Sequence, residues 1–200
     1  MIRISTTSIQ GLAAFVARTP EVAAEAAKLA VGDAAEWGRN LSKREMVSTV
    51  NLPADALAGR RFRISQRPTT ASPEAVISAD NNPLGLSRFV VGAKAAGTAH
   101  PQVRVKVGGA TRSFSSPESR GTYSFLIPTP GGANGVGLAL RTKDPLRNSQ
   151  AARKIGRDLY LLSGPSVNQM FGQLMPQIVP RIEAKLQTEF ARQYERLIRG

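Results

Sequence analysis

Residues 158–200 read DLYLLSGPSVNQMFGQLMPQIVPRIEAKLQTEFARQYERLIRG, and the rest of the chain is organised around them. Leu159, Tyr160, Leu161 and Leu162 form a short apolar strand, which reaches a corner at Ser163, Gly164 and Pro165. Ser166 and Gln169 stand three apart, the spacing at which two side chains satisfy each other's backbone donors at a helix start. Pro176 and Pro180 cannot donate backbone hydrogen bonds and crowd the preceding turn. They predict one helix ending near Met175 and a second beginning around Pro180. In the second piece Ile182, Leu186, Phe190, Tyr194 and Leu197 share one face, with Arg181, Lys185, Arg192, Arg196 and Arg199 off it. Leu186, Phe190 and Tyr194 are therefore candidates for core packing or for docking on another subunit.

The opening residues 1–18 read as a short edge strand or arm, Ile2 and Ile4 alternating with polar neighbours, followed by a brief helix. Thr19, Pro20 and Glu21 then supply a cap, a first-turn proline and a first-turn acid, a strong helix start. The Ala-rich run beyond carries Val22, Ala26, Leu29, Ala30, Ala34, Trp37 and Leu41 on one broad face, which places Trp37 in the core. Gly38 weakens this helix by about 1 kcal/mol relative to Ala, so a bend or an end is expected there.

Between the two helical regions lie strand signals. Phe62 and Ile64 alternate with Arg61 and Arg63, a second strand is expected over 74–80, and Val103, Val105 and Val107 alternate with Arg104 and Lys106 before the Gly108-Gly109 turn. Residues 123–127 and 136–141 continue as a meander, joined by a Gly/Pro-rich turn over 128–135. Residues 142–157 are polar and cationic without apolar periodicity, and read as a mobile basic loop. The sum is a single α+β domain over 1–200: a small antiparallel β-sheet packed by a long N-terminal helix and a C-terminal helix, with long loops.

The net charge is +13, and it is unevenly placed. Residues 1–59 hold six Lys/Arg and six Asp/Glu, 60–157 hold sixteen and four, and 158–200 hold five and four. The excess belongs to the centre, which suits a phosphate-bearing partner first and an acidic protein second, with charge kept for solubility as the alternative to both. Arg61, Arg63, Arg104 and Lys106 are the candidates to put cations on one sheet face against DNA. Stacking aromatics are few beside them, so backbone proximity without sequence reading is the most that follows.

With no Cys and His100 as the only histidine, thiolate metal sites, disulfides and cysteine nucleophiles are excluded. The glycine-rich run 131–137 joins strands rather than opening a helix, and the Ser163-Gly164-Pro165-Ser166 corner lacks the Lys of a phosphate loop. Asp144 and Asp158 have no base at usable spacing. No catalytic residues, metal or cofactor are expected, and the chain reads as a non-enzyme. No apolar run approaches the roughly 18 residues that span a bilayer, and the start makes a poor signal peptide. A soluble product made in the cytoplasm, without a membrane partner, is expected.

Taken in order, several stretches resemble the minor tail protein Z family of long-tailed bacteriophages, also called tail completion proteins. They are the N-terminal Ala-rich helix, the helix-to-basic-strand passage 51–66, and Val103-Arg104-Val105-Lys106-Val107 followed by Gly121-Thr122-Tyr123-Ser124-Phe125-Leu126-Ile127. Leu161-Leu162-Ser163-Gly164-Pro165-Ser166-Val167 before a terminal helix ending in Tyr194-Glu195-Arg196 completes them. The resemblance implies a structural virion protein at the head-proximal end, or neck, of the tail that makes tails competent for head joining. It further implies a homo-oligomeric ring around the DNA channel, with other tail or neck proteins and the passing genome as partners. A basic accessory protein that binds the nucleic-acid backbone is the alternative.

Overall fold

The computed structural model describes all residues except 7, 8, 10, 53, 93, 94, 107–111, 114–120, 134, 144, 145, 147–150 and 200. The architecture is α+β, with antiparallel sheets, a long N-terminal helix and a C-terminal helix. The chain gathers into two compact units. The first comprises 1–46, 57–80 and 170–200; the second comprises 47–56 and 81–169.

In the first unit β1 (Ile2–Ser5), β2 (Phe62–Gln66) and β3 (Glu74–Ala79) form a sheet in the order β1-β3-β2, so the N-terminal segment is an edge strand. Register places Ile2 and Ile64 on either side of Ile77. Ile2, Ile4, Phe62 and Ile77 are all buried, the alternation that a one-sided sheet requires. A short helix, α1 (Leu12–Arg18), leads into α2 (Pro20–Thr49). The predicted start at Pro20 is met, although the Thr19 hydroxyl lies 2.8 Å from the Tyr194 hydroxyl.

α2 passes Gly38 without ending, and the reason is tertiary. Gly38 is buried, and a Cβ there would stand 2.6 Å from Ile182 Cδ1 and 2.9 Å from Ile182 Cγ1. Glycine is what lets the two helices come this close. Ala23, Ala26, Ala27, Ala30, Ala34 and Ala35 extend the same thin face. Ser42 donates from its hydroxyl to the Gly38 carbonyl at 2.7 Å, satisfying a polar group that is fully buried. Trp37 is half-buried rather than core: the close-packed stripe follows the small residues, one step around the helix from the face the large ones suggested.

The C-terminal helix corrects the expected break. α3 (Val167–Arg199) is one helix, with Pro176 and Pro180 inside it. Both prolines are exposed, while Phe171, Leu174, Ile178, Ile182, Leu186 and Phe190 are buried at spacings of three and four that run straight through them. Burying six large side chains at roughly 1.5–3 kcal/mol each outweighs about 3 kcal/mol per proline, so packing overrides the local break. The capping pair is as expected: Gln169 N–H donates to Ser166 Oγ at 3.1 Å, and Ser166 N–H to Gln169 Oε1 at 2.9 Å.

α3 runs antiparallel to α2. Arg181 pairs with Glu45 at 2.9 Å, and Arg192 and Gln193 reach Asp33 at 3.1 and 2.8 Å. Phe62 and Phe171 meet edge to face at 4.9 Å between centroids, tying the sheet to the start of this helix.

The second unit is built on a sheet of β8 (Thr122–Ala133), β9 (Val136–Thr142), β10 (Ala152–Gly156) and β11 (Leu159–Ser166), in the order β10-β11-β9-β8. β4 (Pro83–Gly85) pairs with the far end of β11. Three two-residue strands, β5 (Val90–Val91), β6 (Gln102–Val103) and β7 (Arg112–Ser113), make a small third sheet.

Three expectations change here. Residues 152–156, read as loop, form an edge strand, because their partners Tyr160, Leu161 and Leu162 in β11 supply the apolar pattern that β10 lacks. The Gly164 corner lies within β11, where a Cβ would stand 2.7 Å from Phe89 Cε2. The strand expected across 101–108 keeps only Gln102–Val103, with an isolated bridge from Lys106 to Val50; Val107 and the Gly108-Gly109 turn lie outside the described residues. Leu126, Leu138, Leu140, Tyr160 and Leu162 fill the inner face of the large sheet.

Candidate nucleic-acid interface

The four cations singled out in the sequence do not share a sheet face. Arg61 and Arg63 sit at the start of β2 in the first unit, and Arg104 and Lys106 follow β6 in the second. Arg63 and Lys106 are exposed, whereas Arg61 and Arg104 are half-buried. Arg61 Nη1 is buried without a hydrogen-bond partner among the described residues. The Arg104 backbone is spoken for on both sides: its N–H donates to the Phe89 carbonyl at 2.9 Å, and its carbonyl accepts from Asn51 Nδ2 at 3.1 Å.

The two units handle charge differently. The first holds fifteen Lys and Arg against ten Asp and Glu, and many of its cations are paired: Lys28 with Glu25, Arg39 and Arg67 with Glu36, Arg181 with Glu45, and Lys185 and Arg192 with Glu189. Glu189 is buried and held at 2.6 Å by both Lys185 and Arg192. The hydrogen bond from Lys185 keeps its carboxyl below the ordinary value, with Arg192 adding to the effect against the burial that pushes it up. The second unit holds twelve Lys and Arg against four Asp and Glu (Asp55, Glu118, Asp144 and Asp158), a balance of +8. Four carboxylates cannot neutralise twelve cations, so the second unit carries a net positive field whatever its internal pairings.

The structure also assembles a cluster that the sequence reading missed. Strand pairing sets Tyr123 opposite Arg141 and Arg141 opposite Leu159, on the outer face of the large sheet. One step along, Phe125, Ala139, Leu161 and Arg153 form a second row across all four strands. Tyr123 is 43% exposed, Arg141 and Arg153 are exposed, and Phe125 is half-buried. The Arg141 guanidinium lies 5.8 Å from the Phe125 ring centroid, within cation–π range.

His100 completes the cluster. The segment around Ala99 pairs with the outer edge of β8: His100 N–H donates to the Ser124 carbonyl at 2.8 Å, and Leu126 N–H to the Thr98 carbonyl at 3.0 Å. His100 takes a left-handed φ of 48° there, and its ring meets Tyr123 edge to face at 4.7 Å. Tyr123 and Phe125 are 5.4 Å apart. The sequence signal for this face was the alternation Tyr123, Phe125, Ile127, but alternation cannot say which side of a strand is solvated until the partner strands are known.

Among the described residues, no group of three or more His, Asp and Glu is placed to hold a metal ion, and no helix is long and apolar enough to cross a membrane. No protein-family model, curated protein or solved structure matches the chain.

Proposed function

We propose that this protein is a structural virion component at the head-proximal end of a phage tail, a tail completion or neck protein without enzymatic turnover. In this reading copies of the chain assemble around the DNA channel. The observation that carries the proposal is the uneven placement of charge: a first unit with fifteen Lys and Arg against ten Asp and Glu, and a second with twelve against only four. A ring would repeat that excess around a lumen and hold a phosphate backbone without reading its bases. The layout of the Ala-rich helix, the basic strands and the capped terminal helix, which resembles the tail completion family, supplies the virion context.

The test has two arms. Purified protein, sized by light scattering, should form a homo-oligomer and rescue tails arrested before head joining when added to them. Its affinity for duplex DNA should fall steeply between about 50 and 200 mM salt, by 10³-fold or more if six or more phosphates are contacted. Arrested tails that gain no infectivity would refute the assembly role, and duplex binding indifferent to salt would refute the charge argument.

A further inference from the structure

The outer face of the β8–β9–β11–β10 sheet pairs an aromatic cluster with arginines, and we propose that it is a stacking site for the unpaired bases of single-stranded nucleic acid. The proposal rests on the nucleic-acid reading of the second unit for its electrostatic part only. The stacking part stands on Tyr123, Phe125, His100 and Arg141.

Three features converge. Tyr123 is 43% exposed, yet its ring is held from two sides, by His100 at 4.7 Å and Phe125 at 5.4 Å between centroids. A side chain steadied this way loses little further freedom on meeting a ligand, which favours it as a platform. Arg141 lies directly across the pair from Tyr123, and Arg153 ends the neighbouring row that begins at Phe125, so cations border the aromatic surface on the same face. The charge then selects the occupant. An apolar or cationic peptide gains nothing from a unit with a balance of +8, whereas a single strand offers a π-face for each ring and a phosphate for each arginine. A duplex hides its base faces inside the stack and would meet only the arginines.

Fluorescence anisotropy with three probes tests the proposal: a short oligothymidylate, an abasic deoxyribose-phosphate strand of equal length, and a duplex. The wild-type chain should bind oligothymidylate more tightly than the abasic strand. Tyr123→Ala should weaken oligothymidylate binding about 5- to 150-fold, the range for loss of one stacked base. The same variant should leave the abasic strand and the duplex unchanged. Tyr123→Phe, which keeps the ring, should bind as wild type and guards against a folding artefact. Arg141→Gln should weaken all three probes.

Equal wild-type affinity for oligothymidylate and the abasic strand overturns the proposal, as does an equal loss on both in Tyr123→Ala. If duplex binding stays salt-sensitive in that event, the charge reading of the second unit survives and only stacking fails. If an acidic peptide of matched charge displaces oligothymidylate as well as the unlabelled strand does, the surface is a protein-docking patch and stacking is likewise refuted.

Discussion

Replacing Gly38 by alanine sets two sizeable effects against each other. Alanine in a helix interior is favoured over glycine by about 1 kcal/mol, because it restricts the unfolded chain. At this position the added methyl would arrive 2.6 Å from Ile182 Cδ1 and 2.9 Å from Cγ1, with Ile77 Cδ1 at 3.6 Å behind it. Two contacts inside 3 Å demand movement, and Ile182 and Ile77 are both fully buried, with only a small void of about 30 Å³ beside Ile182, lined also by Ile2, Ile4 and Leu186. Overpacking of this kind costs about 1–3 kcal/mol. The clash therefore wins, and Gly38→Ala should destabilise the first unit by about 0–2 kcal/mol net.

The sharper test is the pair. Ile182→Val removes the methyl at 2.6 Å and alone costs about 0.5–1.5 kcal/mol. In the Gly38→Ala background it should cost nothing or stabilise, a coupling of about 1–2 kcal/mol. Trp37, the only tryptophan, is half-buried beside the substitution and reports unfolding in a urea titration. A stabilised Gly38→Ala variant, or strict additivity of the two changes, would refute the claim that close helix approach is why glycine stands there.

Two further outcomes follow from the same unit. Glu189 is held below its ordinary carboxyl value chiefly by the Lys185 hydrogen bond, so the unfolded chain takes up its proton first as pH falls. The stability it supplies is present above the unfolded value near 4.5 and is lost as pH drops through the lower folded value. Acid titration of Glu189→Gln should show a flatter loss across that window than wild type; superimposable slopes would remove Glu189 from the account. Leu186→Ala empties a fully buried site and should cost about 2–5 kcal/mol in urea denaturation. A change below 1 kcal/mol, with loss of self-association instead, would make this stripe an interface between copies.

What was legible in the sequence was whatever local chemistry determines. Thr19, Pro20 and Glu21 mark where α2 begins, and Ser166 and Gln169 form the reciprocal cap they imply. The α+β class followed from two helical periods flanking alternating strands. What was not legible depended on partners distant in sequence. Pro176 and Pro180 signal an ending that six buried side chains override, and Gly38 signals weakness where Ile182 needs room.

The candidate site divides the same way. The cationic excess of residues 60–157 could be counted in advance, although Arg60, Arg61, Arg63 and Arg67 within it belong to the first unit. That Arg61 and Arg104 would be half-buried, or that Tyr123 would face outward beside Arg141, depends on register across strands, which no single stretch encodes. Residues 152–156 make the point from the other side: their own composition says loop, and only the pairing with β11 makes them a strand.

The two prolines in α3 also bear on the order of events in folding. They withhold the N–H groups that would have reached the carbonyls of Gly172 and Pro176, so the backbone ladder is thinned over two successive turns. A segment with that gap has little tendency to coil by itself, and nucleation on one side does not readily propagate across it. Its register must come from outside, from the thin alanine face of α2 and the buried ring of Phe62. α3 is thus a consolidating element rather than a seed, and a chain shortened at its N-terminal end should release it as an unstructured, protease-sensitive tail.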